Sequence, residues 1–384
     1  MTKLLRITTV PMSLKYLMPG QLKFMQQHGF DVVMISADGI ELAEAIENEK
    51  CRHVIVPMTR KITPWQDLKC IFKLIKIFKK EKPDIVHSMT PKAGLLGMIA
   101  AKYCGIPIRI HDVVGMPLMV QKGIKYQVLK NVEKITYAAA NHVWPNSYSL
   151  LNFINKKKLT SNHKLKVIAE GSSNGVDMNR YNIQNLDTDI LEQIKLKINY
   201  SNDNIYLLCV GRLVTDKGIM ELVNVFKKIQ QQRPGLRLIL VGKYEADLDP
   251  LPQEILLEIQ QNPAIIHIDW SSQVEYYMHI ADLFVFPSYR EGLPTVLLEA
   301  AAMQLPIVCS RIAGNVDIVT HKKTGLIFDS KNEFQLEEQI TFALDNKSKM
   351  KEMAGELLQF IQTHFTRENI WNCILKEYEY LLKK

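Results

Sequence analysis

The residues with the most chemical content lie in one stretch, LFVFPSYREGLPTVLLEAAAMQLPIV, residues 283–308. It reads as a buried strand (Leu283–Pro287), a polar loop, a short helix and a second strand (Pro306–Cys309). The loop carries Glu291, and Glu299 follows at a fixed offset inside the helix. Pro294 suits a first helical turn, whose N–H groups have no partner within the helix. The amides of Leu293, Thr295 and Val296 then point outward, a ready site for phosphate. Carboxylates repel phosphate, so Glu291 and Glu299 are assigned to sugar hydroxyls, which donate to them. The alternative is a solvated loop acid and a capping-turn acid.

A second constellation lies in VGRLVTDKG (210–218). Gly211 closes a strand, Arg212 and Lys217 follow in the turn, and Gly218 opens a helix. Arginine offers a fork of donors and lysine a point charge, which together suit a diphosphate. In the first half, DIVHSMTPKAG (84–94) puts Thr90 and Lys92 at a strand's carboxyl end. They suit an acceptor's phosphate or hydroxyls, or else a helix cap and a solvated charge. IRIHDVVG (108–115) ends on His111 and Asp112. A histidine there suits a sugar or transition-state contact, although a lone histidine also serves structural roles. The triplets Asp187/Asp189 and Asp247/Asp249 have metal-diphosphate spacing but sit at no clear strand end, and are read as solvated. No P-loop, dinucleotide fingerprint, HExxH or Ser/His/Asp pattern occurs.

Alternating strands and helices must position these residues. LLRITTV, FDVVMIS, HVIVPM, DIVHS, IRIHDVVG and HVWPNS read as strands of a first α/β domain, with a further strand opening LKVIAEGSSNGVD (165–177) before a hinge. NIYLLCV, RLILVGK and IIHIDW begin a second. The domains expected are 1–175 and 176–365, with a closing helix over 366–384. The helix LKCIFKLIKIFKKEKP (68–83) shows Leu68, Ile71, Phe72, Leu74, Ile75 and Phe78 on one side and Lys69, Lys73, Lys76 and Lys80 on the other. It lies against anionic lipid, packs on a sheet with its lysines solvated, or does both.

The chain has 384 residues, 47% hydrophobic and 23% charged, ordinary for globular domains. Its net charge of +8 is uneven: residues 1–185 hold 27 Lys+Arg and 13 Asp+Glu, the remainder 21 and 27. The first half therefore expects an anionic partner. No apolar run reaches the ~18 residues of a spanning helix. No signal peptide is read, and six scattered cysteines indicate a reduced, cytoplasmic protein without a zinc site.

Together VGRL…DKG, EGLPTVLLEA, IAGNVDIV and TGLIFD, in that order, resemble the retaining glycosyltransferases of family 4, which have the GT-B fold. DIVHSMTPKAGLLG and NGVD match the same group, and HSMTPKAG is similar to its capsule, O-antigen and glycan-assembly members. The resemblance implies two Rossmann-like domains with parallel sheets facing a cleft. Arg212 and Lys217 would hold the donor diphosphate beside Gly211, with the segment Gly292, Leu293, Pro294, Thr295 and Val296 at the distal phosphate. Glu291 would meet the donor sugar, Glu299 the ribose and His111 the sugar near the reacting carbon. Lys243 and Trp270 would lie near the base. The first loop, TVPMSLKYLMPGQ, lacks the Gly-Gly pair of many members, and Asp317 stands where glutamate is more usual.

The function this implies is transfer of a hexose or N-acetylhexosamine from a UDP-sugar to a lipid-diphosphate-linked glycan, at the inner face of the cell membrane. The cations and helix amides would stabilise the departing diphosphate, so no metal or cofactor is required. Front-face attack, its proton taken by the leaving phosphate, would retain configuration. A nucleotide-sugar 2-epimerase is one alternative, disfavoured by the basic first half. A nucleic-acid-binding protein is another, disfavoured by the glutamate pair and the few aromatics beside the lysines.

Overall fold

Short apolar runs alternate with amphipathic stretches along most of the chain, and most of the runs become strands buried on both faces by the helices beside them. The computed structural model describes residues 1–245 and 249–384. They form two compact units, Met1–Gly175 with Arg367–Lys384, and Val176–Thr366.

The first unit runs β1 (Thr2–Ile7), α1 (Pro11–Leu17), α2 (Gln21–Gln27), β2 (Phe30–Ser36), α3 (Leu42–Glu49), β3 (Arg52–Ile55), α4 (Pro64–Glu81), β4 (Ile85–Met89), α5 (Pro91–Tyr103), β5 (Ile108–Val113), α6 (Gly123–Ala139), β6 (His142–Pro145) and α7 (Tyr148–Lys156). The strands form one parallel sheet in the order β3-β2-β1-β4-β5-β6. The order reverses between β1 and β4, and ligands of such sheets bind beyond the strands' carboxyl ends at that point.

The second unit runs α8 (Thr188–Lys197), β7 (Ile205–Val210), α9 (Ile219–Gln232), β8 (Leu236–Val241), α10 (Gln253–Gln261), β9 (Ile265–Ile268), α11 (Val274–Ile280), β10 (Leu283–Phe286), α12 (Thr295–Ala302), β11 (Ile307–Ser310), α13 (Asn315–Ile318), β12 (Leu326–Phe328), α14 (Glu333–Asp345) and α15 (Lys347–His364). Its parallel sheet has the order β12-β11-β10-β7-β8-β9, with the reversal between β7 and β10. The final helix, α16 (Arg367–Leu382), belongs to the first unit, where Ile370, Ile374, Tyr378 and Leu381 join the core around Leu4, Met34 and Ile110.

Three expectations need correction. Residues 165–168 form no strand; Leu165 makes one isolated bridge to Val143. Pro294 caps α12 from outside, with Thr295 as the first helical residue. In α4 the buried stripe is Cys70, Leu74 and Phe78, while Leu68 and Phe72 are exposed. The apolar arc of α4 is wider than the face the sheet and α5 can cover. The Gly-poor first loop also has its own logic. The amides of Gly20, Leu22 and Lys23, at the start of α2, all donate to the buried Glu49 carboxylate at 2.5, 2.9 and 3.0 Å. The chain's own carboxylate fills that helix start.

Candidate functional site

In the second unit, β7 and β10 are hydrogen-bonded neighbours at the point where strand order reverses. The turn after β7 carries Gly211, Arg212 and Lys217; the loop after β10 carries Ser288 to Pro294. The two must approach closely, and Gly218 permits it. Its φ is +68°, and a Cβ there would stand 2.3 Å from the carbonyl oxygen of Pro287.

Opposite charges on consecutive residues then lock the two loops. Asp216 pairs with Arg290, its Oδ2 receiving Nε at 2.9 Å and Nη2 at 2.7 Å. Lys217 Nζ donates to Glu291 Oε1, which also accepts from Ser288 Oγ at 2.8 Å. The Tyr289 N–H donates to the Asp216 carbonyl at 2.8 Å, and the Tyr289 hydroxyl to Glu221 at 2.5 Å. Lys217 also lies over the Phe286 ring, 5.3 Å from its centroid. Lys217 and Glu291 are therefore brought together, partly buried, in contact with one another. Arg212 is more open and pairs with Glu245.

The helix start expected to hold phosphate opens at Thr295, one residue after the position expected for Pro294. Gly292, Leu293 and Pro294 are buried, Thr295 is exposed and Val296 half-buried. Pro294 offers no side-chain cap. The Leu297 amide turns back to the Pro294 carbonyl at 3.1 Å. The Thr295 and Val296 amides belong to the first turn, which leaves such groups without intrahelical carbonyls. Glu299, farther along α12, faces Tyr181, whose buried phenol hydrogen-bonds to it. Burial, then the Glu299 charge, push that phenol far above its ordinary pKa. Arg180 stacks over the Tyr181 ring and pairs with Glu275 at 2.8 Å. Lys243 and Trp270 are exposed just beyond the carboxyl ends of β8 and β9, strands whose Val241 and Ile268 are in register.

Of the DxD triplets, Asp187 is the N-cap of α8, accepting from the amides of Asp189 and Ile190. Asp247 lies outside the described residues. Asp249 is not simply solvated, as its Oδ2 accepts from the Asp216 amide at 2.7 Å and so braces the cationic turn.

In the first unit, Thr90 follows β4 at its carboxyl end with φ +78°. That conformation is strained for a β-branched residue, and such strain gathers at functional positions. Its hydroxyl meets Thr9 Oγ1 at 2.7 Å, and Thr9 rather than Thr90 receives the Ala93 amide of α5, at 3.3 Å. Lys92 is not a solvated charge; it pairs with Asp67 of α4 at 2.5 Å. His111, read as a sugar or transition-state contact at the strand end, is almost wholly enclosed. It is 2% exposed because strand parity turns it under α5, where Gly94 leaves room: a Cβ on Gly94 would sit 2.2 Å from the His111 ring. Its Nδ1 is 2.9 Å from Ser88 Oγ, and burial pushes its pKa down to about 4, leaving it neutral at pH 7. Asp112 faces the other side, against Arg6 at 3.3 Å and His87 at 2.7 Å.

Sequence reasoning missed Asp216, Ser288, Tyr289 and Arg290 as the frame of the site, and Glu245 as the counter-ion of Arg212. One signal was present: Asp216-Lys217 and Arg290-Glu291 are adjacent opposite-charge pairs in complementary order.

Comparison with known proteins places the chain in a family. Residues 192–356 match the family model for glycosyl transferases group 1, and residues 9–147 match the glycosyl transferase 4-like model. The capsular polysaccharide biosynthesis glycosyltransferase CapM of Staphylococcus aureus is 35% identical over 382 residues, covering 100% of this chain and 98% of the relative. An Escherichia coli UDP-Gal:alpha-D-GlcNAc-diphosphoundecaprenol alpha-1,3-galactosyltransferase is 25% identical over 315 residues, covering 80% of this chain and 79% of the relative. Among solved structures, Anabaena HepE in complex with UDP-glucose superposes with a TM-score of 0.80 at 16% identity, over 99% of this chain and 100% of that one. The chain belongs to the group 1, family 4-like glycosyltransferases of the GT-B fold.

Proposed function

We propose that this glycosyltransferase moves a hexose or N-acetylhexosamine from a UDP-sugar to a lipid-diphosphate-linked glycan during capsule or related surface-polysaccharide assembly, with retention of anomeric configuration. The observation that carries the reading is the locked pair of loops at the β7/β10 reversal, which sets the turn of Arg212 and Lys217 beside the α12 start at the carboxyl ends of two neighbouring strands. The names of CapM and the Escherichia coli relative support the pathway and acceptor class, and the UDP-glucose complex of HepE supports the donor.

In this reading Arg212 and Lys217 hold the diphosphate, approached closely at Gly211. Gly292 to Val296 present the α12 start to the distal phosphate. Glu291, released from Lys217 when the donor arrives, accepts from sugar hydroxyls. Glu299 receives the ribose, and Lys243 and Trp270 flank the base. On the first unit, Thr90 and Lys92 are assigned to the acceptor. His111 is assigned to the sugar through Nε2, the ring nitrogen not engaged by Ser88. The acceptor hydroxyl oxygen bonds to the anomeric carbon as the carbon–oxygen bond to the diphosphate breaks. The electron pair stays on the phosphate oxygen, which takes the hydroxyl proton. Preorganised cations stabilise that developing charge, the work a metal does in other transferases. Transfer should therefore persist in a chelator. The basic first unit holds the enzyme at the inner, anionic face of the membrane.

A thermal-shift panel of UDP-, GDP- and ADP-sugars tests the donor, because a ligand that binds only the native state raises its stability. A shift with UDP-sugars alone is expected; a shift only with GDP- or ADP-sugars contradicts the assignment. Proton NMR of the product's anomeric signal tests retention.

A further inference from the structure

The first unit presents apolar side chains that its own core does not need. Trp65 is 82% exposed, Phe72 57% and Leu68 45%, and the spacing of the three puts them on one face of α4. That face is separate from the buried stripe of Cys70, Leu74 and Phe78. Ile62, just before the helix, is also exposed. On α6, Ile124 is 85% exposed, and Val128 is exposed one turn later. Helices α4 and α6 both pack against α5, on either side of it. Each of the three follows a parallel strand, β3, β4 and β5 respectively, so their first turns lie at the strands' carboxyl ends, the end that carries Thr90 and Lys92.

The same surface is cationic. Residues 60–80 contain Arg60, Lys61, Lys69, Lys73, Lys76, Lys79 and Lys80 against a single acid, Asp67, which is paired with Lys92. Residues 120–135 contain Lys122, Lys125, Lys130 and Lys134 against a single acid, Glu133, which is buried. Exposed aromatic and aliphatic side chains ringed by lysines match the boundary between acyl chains and anionic head groups. They match nucleic acid poorly, where the lysines would bind but Leu68, Ile124 and Val128 would find no partner.

We propose that Trp65, Leu68 and Phe72 of α4, with Ile124 of α6, insert into an anionic bilayer while the surrounding lysines hold its head groups. This deepens the membrane reading above and rests on it for the acceptor. It adds an apolar wedge to the charge, and sets the Thr90–Lys92 end of the sheet toward the bilayer where a lipid-linked acceptor resides.

The test uses the full-length protein and vesicles of phosphatidylcholine with and without phosphatidylglycerol, read by co-sedimentation. Wild type should bind the anionic vesicles, with its tryptophan fluorescence quenched by brominated acyl chains. Trp65→Ser/Phe72→Ser should lose about tenfold or more in vesicle affinity, and Trp65→Phe should lose most of the quenching. Lys69→Gln/Lys73→Gln/Lys76→Gln should lose the preference for phosphatidylglycerol. All substituted side chains are solvent-facing, and UDP-induced stabilisation measured in the same samples checks folding and donor binding separately. A membrane failure and a donor-site failure are thus distinct results. Undiminished vesicle binding by the Trp65/Phe72 variant overturns the wedge. So does displacement of the vesicles by generic DNA that the variant binds as well as wild type.

Discussion

At the scale of single residues, the proposed donor site is a set of charges already neutralised by one another. Arg212 faces Glu245 and Lys217 faces Glu291, so an incoming diphosphate competes with carboxylates as well as with water. Arg212→Ala should weaken UDP binding about tenfold or more, since a charged hydrogen bond contributes roughly 1.5–3 kcal/mol. Glu245→Gln should act in the other direction. Removing a partly exposed counter-ion, a pair typically worth about 0.2–1 kcal/mol, should tighten UDP binding by up to about fivefold. The gain should vanish in the Arg212→Ala background, and calorimetric titration of the four proteins measures the coupling. Gly218→Ala should cost about 2–4 kcal/mol of second-unit stability. It combines a positive φ with a Cβ pressed on the Pro287 carbonyl, and a thermal melt reads the loss. Lys217 and Glu291 were legible in the sequence because charges and glycines mark a strand-to-helix turn. Their mutual pairing was not. It depends on β7 and β10 being neighbours, and the intervening chain gives no local sign of that pairing.

At the scale of elements, α16 completes the first unit. The Tyr378 hydroxyl stands 2.6 Å from His87 Nδ1 in a fully buried group that also contains Asp112 and Arg6. Tyr378→Phe should cost about 1–2 kcal/mol by stranding polar partners, measurable as a lower denaturant midpoint. The buried histidines also set a pH dependence. Burial holds His87 and His111 at about 4, below the ordinary 6.5. The stability each contributes is present above about pH 6.5 and is lost as pH falls toward 4, because the unfolded chain takes the proton first. Glu133, raised to about 7 by burial, acts in the opposite sense over an overlapping window. His53 is likewise held at about 4 and Glu49 is likewise raised by burial, and three histidines against two carboxyls predict a falling melting temperature between about pH 6.5 and 4.5. His111→Gln should flatten that slope. Strands β1 (Thr2–Ile7) and β2 (Phe30–Ser36) were readable because runs buried on both faces are mostly apolar, although the run read as 4–10 extends past the end of β1. The exposed face of α4 was not, because a helical wheel shows an apolar arc but not how much of it a sheet and one neighbouring helix can cover. The burial of His111 was not readable for a related reason: parity places a strand-end side chain over or under the sheet, and the room for it comes from Gly94, a residue distant from it in sequence.

At the scale of the whole molecule, the two units differ in charge and in the features they carry. The basic unit carries the lysine-rich helices and the strained Thr90, while the mildly acidic unit carries the cationic turn and the α12 start. Six-stranded parallel sheets with an order reversal in each unit were foreshadowed by the strand–helix alternation. The reversals themselves come from pairings between strands far apart in the chain. The account's central claim is that the nucleotide diphosphate belongs to the second unit. The most direct measurement is calorimetric titration of UDP into wild type, Arg212→Ala/Lys217→Ala and Thr90→Val/Lys92→Met. The account predicts at least about a hundredfold loss for the first variant and a change within about threefold for the second. Retained affinity in Arg212→Ala/Lys217→Ala, with the loss appearing in Thr90→Val/Lys92→Met, would contradict it.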